Sequence, residues 1–162
     1  MEKFIPNTPT VNPDKEYFVD AGKFLKIDTN VSRGIVEASF LSDLQNSREL
    51  LLFPTIHKTW INNSGFNILM DRIQGETLEN CKSKLTSEDK VFIHFDLFRM
   101  FSVLQSKNIV HGDINESNLI YNQKKKTLHL IDFEFATKEI SQRDLTGPNW
   151  GIIHVLKWLN QP

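Results

Sequence analysis

The segment from Val110 to Ala136 places polar side chains at fixed intervals beside short apolar runs, and this spacing restricts the fold more than any other feature. Asp113 lies in a polar stretch, Asn118 follows it, and Asp132 ends a second apolar run. Two apolar runs around a polar QKKK turn predict a hairpin. Such a hairpin folds the carboxylates of Asp113 and Asp132 toward one point. Because loops supported by rigid elements commonly carry chemistry, the spacing predicts a functional site here.

A purely structural role is the alternative for the same residues. Asp and Asn side chains hydrogen-bond to nearby backbone groups and therefore favour turns. On that interpretation Asp113 and Asn118 only shape loops, and Asp132 only ends a strand. The interpretation as a site is favoured, because the spacing of the three residues, their apolar flanks and a preceding long helix all occur together.

The composition limits the class of protein. With 162 residues, of which 40% are hydrophobic and 24% are charged, the chain can bury one core, and we expect one globular domain with two lobes. The formal net charge of -1 provides no basic field for nucleic acid. No apolar run reaches the roughly 18 residues of a membrane span. Cys81 is the only cysteine, which excludes an internal disulfide and fits a reducing, cytoplasmic setting.

The first half of the chain predicts a small, strand-rich unit. Prolines make residues 1 to 15 irregular, or at best a poor edge hairpin. Two strands that turn at Ala21-Gly22 follow, and a later hairpin turns between Asn62 and Gly65. Between them, the segment VSRGIVEASFLSDLQ predicts an amphipathic helix with Ser32 available as the N-cap. Its predicted apolar positions are Ile35, Val36, Phe40, Leu41 and Leu44.

The second half predicts a mainly helical unit in which the hairpin is embedded. A long helix is expected from Thr86 to about Lys107, with Thr86 as its cap and Asp89 in its first turn. A short strand is expected at NIVHGDI, and a final apolar helix begins near Pro148. The long helix is expected to be buried from several sides, through a stripe of Val91, Phe95, Phe98, Phe101 and Leu104 that is widened by Phe92, Leu97, Met100 and Val103.

The residues His111-Gly112-Asp113, Asn118 and Ile131-Asp132-Phe133 resemble the catalytic and metal-binding loops of the protein-kinase-like superfamily. In that pattern a His or Tyr precedes the catalytic Asp, an Asn follows it, and a second Asp comes after a hairpin. The resemblance implies a kinase-like fold and phosphoryl transfer from ATP with Mg²⁺. It assigns Asp113 to the acceptor hydroxyl, Asn118 and Asp132 to the magnesium ion, and His111 to the scaffold.

The resemblance extends toward the N-terminus. KFLKI is similar to the strand that carries the phosphate-binding lysine, which makes Lys26 the candidate and Glu37, on the following helix, its ion-pair partner. Strand alternation places Lys23 on the opposite face. The alternative is that these are ordinary surface charges. The segment ILMDRIQGETL is similar to the hinge between the lobes of kinases. The resemblance implies that backbone groups of Asp71, Arg72 and Ile73 contact the adenine base. Met70 is the candidate side chain that packs behind this base.

Other positions depart from the kinase pattern. No G-x-G-x-x-G precedes Lys26, so the hairpin that covers the phosphates is expected to be shortened or missing. Glu134 replaces the glycine that follows Asp132-Phe133, and this IDFE sequence is similar to choline kinases and aminoglycoside phosphotransferases. Asp144 is the candidate for the aspartate that braces the catalytic loop in those small-molecule kinases. The missing phosphate-loop glycines also leave a pseudokinase open.

We therefore predict an α+β, minimal bilobal protein-kinase-like fold with a truncated N-terminal hairpin and a truncated C-terminal lobe. One domain is expected over residues 1–162, with the N-lobe and hinge at about 16–73 and the C-lobe at about 74–162. The predicted activity is ATP- and magnesium-dependent transfer to a protein Ser/Thr hydroxyl or to a small-molecule alcohol. A pseudokinase or nucleotide-binding interaction module is the alternative. No nucleic-acid partner is expected, the oligomeric state stays open, and the setting is the cytoplasm, or a host cell for an effector.

Overall fold

Residues 1–4, 14–45, 52–138 and 150–161 are described by a computed structural model. Within them, a five-stranded antiparallel sheet with one long helix precedes a mainly helical part that carries a three-stranded sheet. This arrangement confirms the predicted α+β class. The strands of the larger sheet are β1 (Glu2–Phe4), β2 (Lys15–Val19), β3 (Lys23–Asp28), β4 (Ile56–Asn62) and β5 (Gly65–Asp71), in the spatial order β1-β2-β3-β5-β4.

The N-terminal residues form an edge hairpin. β1 pairs antiparallel with β2, so that Glu2 lies opposite Val19 and Phe4 lies opposite Tyr17. Of the two alternatives for residues 1 to 15, the edge hairpin is the one that the described residues form, so a hairpin is present before β3. Residues 5–13 lie outside the described part of the chain.

The helix α1 (Val31–Gln45) packs against β3, β4 and β5. Its N-cap is Asn30, whose side-chain oxygen accepts the backbone N–H of Arg33 at 3.3 Å, and the predicted cap Ser32 lies inside the helix. Ile35, predicted to be apolar core, is 48% exposed. The face that packs on the sheet instead carries Gly34, Glu37, Ala38, Leu41 and Leu44.

The rest of the chain contains the second sheet, three α-helices and a short 3-10 helix (Lys82–Lys84) among the described residues. The segment QGETL, predicted to be a simple break, contributes β6 and leads into α2, while NIVHGDI forms only a single bridge between Val110 and Thr137 instead of a strand. Pro148 lies outside the described residues, and the final helix is described from Trp150. The elements are β6 (Glu76–Thr77), α2 (Leu78–Cys81), α3 (Ser87–Ser106), β7 (Leu119–Asn122), β8 (Thr127–Leu130) and α4 (Trp150–Leu159).

The long helix α3 begins as predicted but buries a different face. The Thr86 hydroxyl accepts the backbone N–H of Asp89, and the Asp89 carboxylate accepts the N–H of Thr86, which completes a capping box. The predicted burial from several sides is wrong, because one aromatic side of the helix lies open to solvent. Exposed positions are Val91 at 67%, Phe95 at 62% and Phe98 at 60%, whereas Ile93, Leu97, Met100, Val103 and Leu104 are buried.

One apolar cluster joins the two parts of the molecule. It includes Leu41 and Ile68 from the larger sheet and its helix, and Leu97, Leu119 and Phe133 from the helical part. This continuous burial holds the two parts against each other. None of the described helices is long and apolar enough to cross a membrane.

Candidate active site

The β7–β8 hairpin brings Asn118 and Asp132 side by side. Leu119 pairs with Leu130 at the open end of the hairpin, and the N–H of Ile131 donates to the carbonyl of Asn118 at 3.0 Å. Asn118 immediately precedes one strand, and Asp132 closely follows the other. The sequence-predicted juxtaposition of these two residues is therefore present.

Two buried carboxylates of α3 anchor this hairpin. Asp96 accepts the backbone N–H of Leu128 at 2.9 Å, and Asp89 accepts the hydroxyl of Tyr121 at 2.8 Å and Nζ of Lys126 at 2.7 Å. Burial opposes ionisation of Asp89, but these donors outweigh it and hold its pKa below the ordinary value. Sequence reasoning missed Asp96. An acidic residue inside the apolar run HFDLF was the available signal, since a buried charge requires a partner.

His111 supports the loop that carries Asp113. Its Nδ1 accepts the N–H of Asp113 at 3.2 Å, and its Nε2 lies 3.0 Å from the carbonyl of Ile131, to which it donates. The ring packs edge-on against Phe133, with 4.5 Å between ring centroids. Burial lowers the pKa of His111, so the neutral ring with one donor and one acceptor is the stable form.

Gly112 allows this loop to approach the segment after Asp132. Its φ is +84°, a conformation that L side chains rarely adopt. A Cβ at this position would lie 2.6 Å from the carbonyl oxygen of Phe135. Only glycine therefore fits at this position, between the loop that carries Asp113 and the segment that follows Asp132.

Asp113 and Asn118 are fixed to each other by hydrogen bonds. Nδ2 of Asn118 donates to the Asp113 carboxylate at 2.8 Å and to its carbonyl at 2.9 Å. Nδ2 of Asn115 donates to the other carboxylate oxygen of Asp113 at 2.9 Å. No hydrogen bond among the described residues occupies the amide oxygen of Asn118, so that oxygen is available to a cation.

The Asp132 carboxylate lies at the centre of a buried ion cluster. Its φ of +66° is in the left-handed region, which Asp tolerates better than most residues. Nζ of Lys26 lies 2.5 Å from one oxygen of Asp132 and 2.6 Å from Glu37. Nζ of Lys15 lies 3.4 Å from the other oxygen. The structure thus brings together Lys26, Glu37 and Asp132, which are far apart in sequence.

The cluster favours the charged forms of Lys26 and Asp132. Burial alone would raise the pKa of Asp132, but the ammonium groups of Lys26 and Lys15 outweigh burial and lower it. Burial would likewise lower the pKa of Lys26, whereas the carboxylates of Glu37 and Asp132 raise it well above its ordinary value. Lys26 is therefore a permanent cation that faces the carboxylate of Asp132.

Sequence reasoning missed the second lysine of the cluster. Lys15 pairs with Glu134 at 2.5 Å, and both side chains are buried. Lys15 lies outside the predicted strand, because prolines precede it. Glu134 is notable in the sequence only because it replaces a glycine of the kinase pattern. The local sequence around each residue does not indicate that its side chain is buried, because its partner lies near the opposite end of the chain.

The hinge candidates differ in what their backbone can offer to a base. Met70 is buried in the core and lies opposite Phe24 on β3. The N–H of Asp71 already donates to Thr55 at 2.9 Å, and the N–H of Arg72 donates to Gly22 at 3.1 Å. Among the described residues no hydrogen bond engages the N–H of Ile73. Ile73 is therefore the hinge position with a free backbone donor.

The donor set suits a magnesium–nucleotide complex better than a metal held by protein alone. No group of three or more His, Cys, Asp or Glu side chains within the described ranges could hold a metal ion. Asp132 and Asn118 instead offer one carboxylate and one amide oxygen, and Mg²⁺ commonly takes its other ligands from phosphates and water. The residues present fit that group. Asp144, the candidate brace of the loop, lies outside the described residues.

Comparisons with known proteins find a matching family model and similar relatives. A family model described as RIO domain matches residues 60–144. The KEOPS complex subunit Bud32 of Pyrococcus abyssi is 32% identical over 76 residues, which cover 47% of this chain and 34% of that protein. Serine/threonine-protein kinase D of Synechocystis is 31% identical over 103 residues, which cover 64% of this chain and 20% of that protein. The chain thus spans about a third or less of the length of these relatives.

Solved structures share the fold at low identity. The Cydia pomonella granulovirus kinase PK-1 matches with a TM-score of 0.67 and 21% identity, over 85% of this chain and 51% of that chain. Monomeric WbdD matches with a TM-score of 0.72 and 16% identity, over 97% of this chain and 41% of that chain. These matches confirm the predicted kinase-like fold.

The matched family model covers just over half of the chain and includes the loop and hairpin described above. His111, Asp113, Asn118 and Asp132 all lie inside it. Fold and family model therefore point to one superfamily. The chain belongs to the RIO domain family, within the protein-kinase-like superfamily.

Proposed function

We propose that this chain is a phosphotransferase that uses ATP and Mg²⁺. The observation that carries the proposal is the buried line of charges from Glu37 through Lys26 to Asp132, with separations of 2.6 Å and 2.5 Å. Phosphoryl transfer requires positioned charge more than covalent chemistry by the protein. A lysine that two carboxylates orient and keep charged meets that requirement, and membership in a kinase-like family supports it.

Each site residue then has a role that follows from its contacts. Lys26 places positive charge at the phosphates, and Glu37 holds its Nζ in position. Asp132 and Asn118 are the oxygen ligands for Mg²⁺, which when bound neutralises phosphate charge. Asp113, whose carboxylate is fixed by two amides, orients the acceptor hydroxyl and accepts its proton.

The adenine base is assigned to the hinge. The unengaged N–H of Ile73 is the donor that we assign to the base, with Met70 behind it. Asp71 and Arg72 support this segment through their hydrogen bonds to neighbouring strands and loops. Their N–H groups are less suited to the base, because each already has a carbonyl partner.

We infer that the acceptor is a Ser/Thr hydroxyl of a protein. Similarity to a serine/threonine-protein kinase supports this acceptor. The IDFE sequence at Asp132–Glu134 supports the alternative, a small-molecule alcohol, because it is similar to choline kinases and aminoglycoside phosphotransferases. Asp113 and Lys26 have the same roles whether the acceptor is a protein hydroxyl or a small-molecule alcohol.

The test is incubation of the purified chain with Mg²⁺ and ATP labelled on its terminal phosphate, alone and with a cell lysate. Labelled proteins are then separated from labelled small molecules. We expect the wild-type chain to label protein and the Asp113→Ala variant to label nothing, although it still binds ATP. Label found only in small molecules would contradict the protein acceptor and support the small-molecule alcohol. Equal labelling by the Asp113→Ala variant would remove Asp113 from its role.

A further inference from the structure

The mechanism above assigns no role to Lys15, the first residue of β2. Its side chain is only 4% exposed. Its Nζ lies 2.5 Å from Oε2 of Glu134 and 3.4 Å from Oδ2 of Asp132. A second lysine, from a different strand than Lys26, therefore reaches the carboxylate that is assigned to the metal.

The register of the sheet explains why two lysines meet at one carboxylate. Tyr17 lies opposite Lys26 in the β2–β3 pair. Side chains two positions apart along a strand share a face, so Lys15 lies on the same face as Tyr17. Lys15 is thus the diagonal neighbour of Lys26. Lys26 contacts Oδ1 of Asp132 and Lys15 approaches Oδ2, so two cations converge at the site.

Each of these lysines also has a buried carboxylate of its own. Lys26 pairs with Glu37, and Lys15 pairs with Glu134, whose side chain is 5% exposed. Oε2 of Glu134 accepts no well-directed hydrogen bond within the described part of the chain, so the adjacent ammonium is what offsets its charge. If the Asp132 carboxylate turns toward a metal ion, both lysines therefore keep a partner and stay in the cleft.

We propose that Lys15 is a second phosphate-binding cation and that Glu134 is the counter-ion that holds it in place. This inference rests on the proposed function, because it requires ATP phosphates beside Asp132. The sequence that joins β1 to β2 contains no glycine, so it does not encode the glycine-rich backbone cradle that often binds phosphates. The ammonium groups of Lys15 and Lys26 supply the positive charge instead.

A structural role is the competing explanation, in which Lys15 only neutralises Glu134. The double variant Lys15→Met/Glu134→Gln separates the two, since it removes both charges of the pair and leaves no uncompensated buried carboxylate. Lys3→Met is the matched control, because Lys3 forms an exposed ion pair with Glu16 in the same hairpin. Dissociation constants for ATP and for adenosine are measured by calorimetry, both with Mg²⁺ and with a chelator.

We expect the double variant to melt close to the wild-type temperature and to bind ATP about tenfold more weakly, which corresponds to about 1.4 kcal/mol. Adenosine binding should not change, because the base does not contact Lys15. The weakening should persist in the chelator, which separates a direct phosphate contact from an effect on the metal. The Lys3→Met variant should match the wild type in every measurement.

Wild-type ATP affinity in the double variant would overturn the role of Lys15 and leave it as a counter-ion of Glu134. A wild-type chain that binds no ATP would overturn the proposed function together with this inference, and the two failures are therefore distinguishable.

A second measurement uses only the wild-type chain and does not depend on how a variant folds. An acyl-phosphate derivative of ATP transfers its acyl group to nearby lysine amines: the amine attacks the carbonyl, an amide forms, and ATP leaves. Peptide mass spectrometry should find the acyl group on both Lys26 and Lys15, with labelling of both suppressed by excess ATP. Labelling of Lys26 without Lys15 would contradict the proposal.

Discussion

Lys26 has the most constrained side chain of the candidate site. It is almost completely buried, and two carboxylates within 2.6 Å keep it charged. An unpaired buried ammonium would be strongly unfavourable, so its position depends on Glu37 and Asp132. The resemblance of KFLKI to the lysine-bearing strand of kinases predicted the lysine and its partner Glu37 on the following helix. The direct contact with Asp132 required the fold.

Substitution of Lys26 tests its assignment to the phosphates. Lys26→Met should lower the rate of phosphoryl transfer by about 100-fold or more, at about 1.4 kcal/mol per tenfold. Lys23→Met should have little effect, because Lys23 is the first residue of β3, has a solvent-exposed side chain and pairs with Asp71. Rates of terminal-phosphate release are measured for both variants at a temperature where each is folded. A crippled Lys23→Met variant, or no effect from either change, would contradict the assignment.

His111 gives the molecule a defined response to pH. Burial lowers its pKa in the folded state below the ordinary value of 6.5. The unfolded chain therefore binds more protons than the folded chain just below pH 6.5. The stability that neutral His111 contributes is complete above that pH and is lost as the pH falls toward the folded pKa.

We expect the free energy of unfolding to fall between about pH 7 and pH 5.5, by at most about 1.4 kcal/mol per pH unit from this one group. His111→Asn should reduce that decline, because Asn does not titrate. Urea unfolding of both proteins at several pH values measures the slopes. Identical slopes would show that His111 is not the group that responds.

At the scale of elements, α3 shows where sequence patterns stop being informative. Its cap was predictable, since Thr86 and Asp89 form a local capping box. Its buried face was not, because apolar residues occupy most sides of the helix and the period alone does not choose between them. The choice is made by Asp96 and Asp89, whose carboxylates must face the β7–β8 hairpin to find their donors. The aromatic residues are consequently turned outward.

Two neighbouring residues of α3 test this orientation. Leu97 is 1% exposed and Phe98 is 60% exposed. Leu97→Ala should lower the free energy of unfolding by about 2–5 kcal/mol, because it leaves a cavity. Phe98→Ala should change it by less than about 0.5 kcal/mol. Chemical denaturation of the two variants measures both values, and a larger loss for Phe98→Ala would reverse the assigned faces.

At the scale of the whole molecule, the resemblance to kinases that Asp113, Asn118 and Asp132 carry was sufficient to predict the fold, and their spacing alone predicted the hairpin between them. The ion pair of Lys15 with Glu134 was not predictable. These two residues are separated by more than a hundred positions, and only the closed fold brings them together. Local sequence therefore encoded the loops, and long-range packing completed the charge cluster.

The central claim is that this cleft binds ATP together with Mg²⁺. It is tested most directly by the melting temperature of the wild-type chain with ATP alone, with Mg²⁺ alone and with both. Ligand at about 100 times its dissociation constant stabilises the folded state by about 2.7 kcal/mol, so a shift of several degrees is expected. ATP should raise the melting temperature, Mg²⁺ should enlarge that shift, and Asp132→Asn should remove the enlargement. An unchanged melting curve at saturating nucleotide and metal would contradict the account.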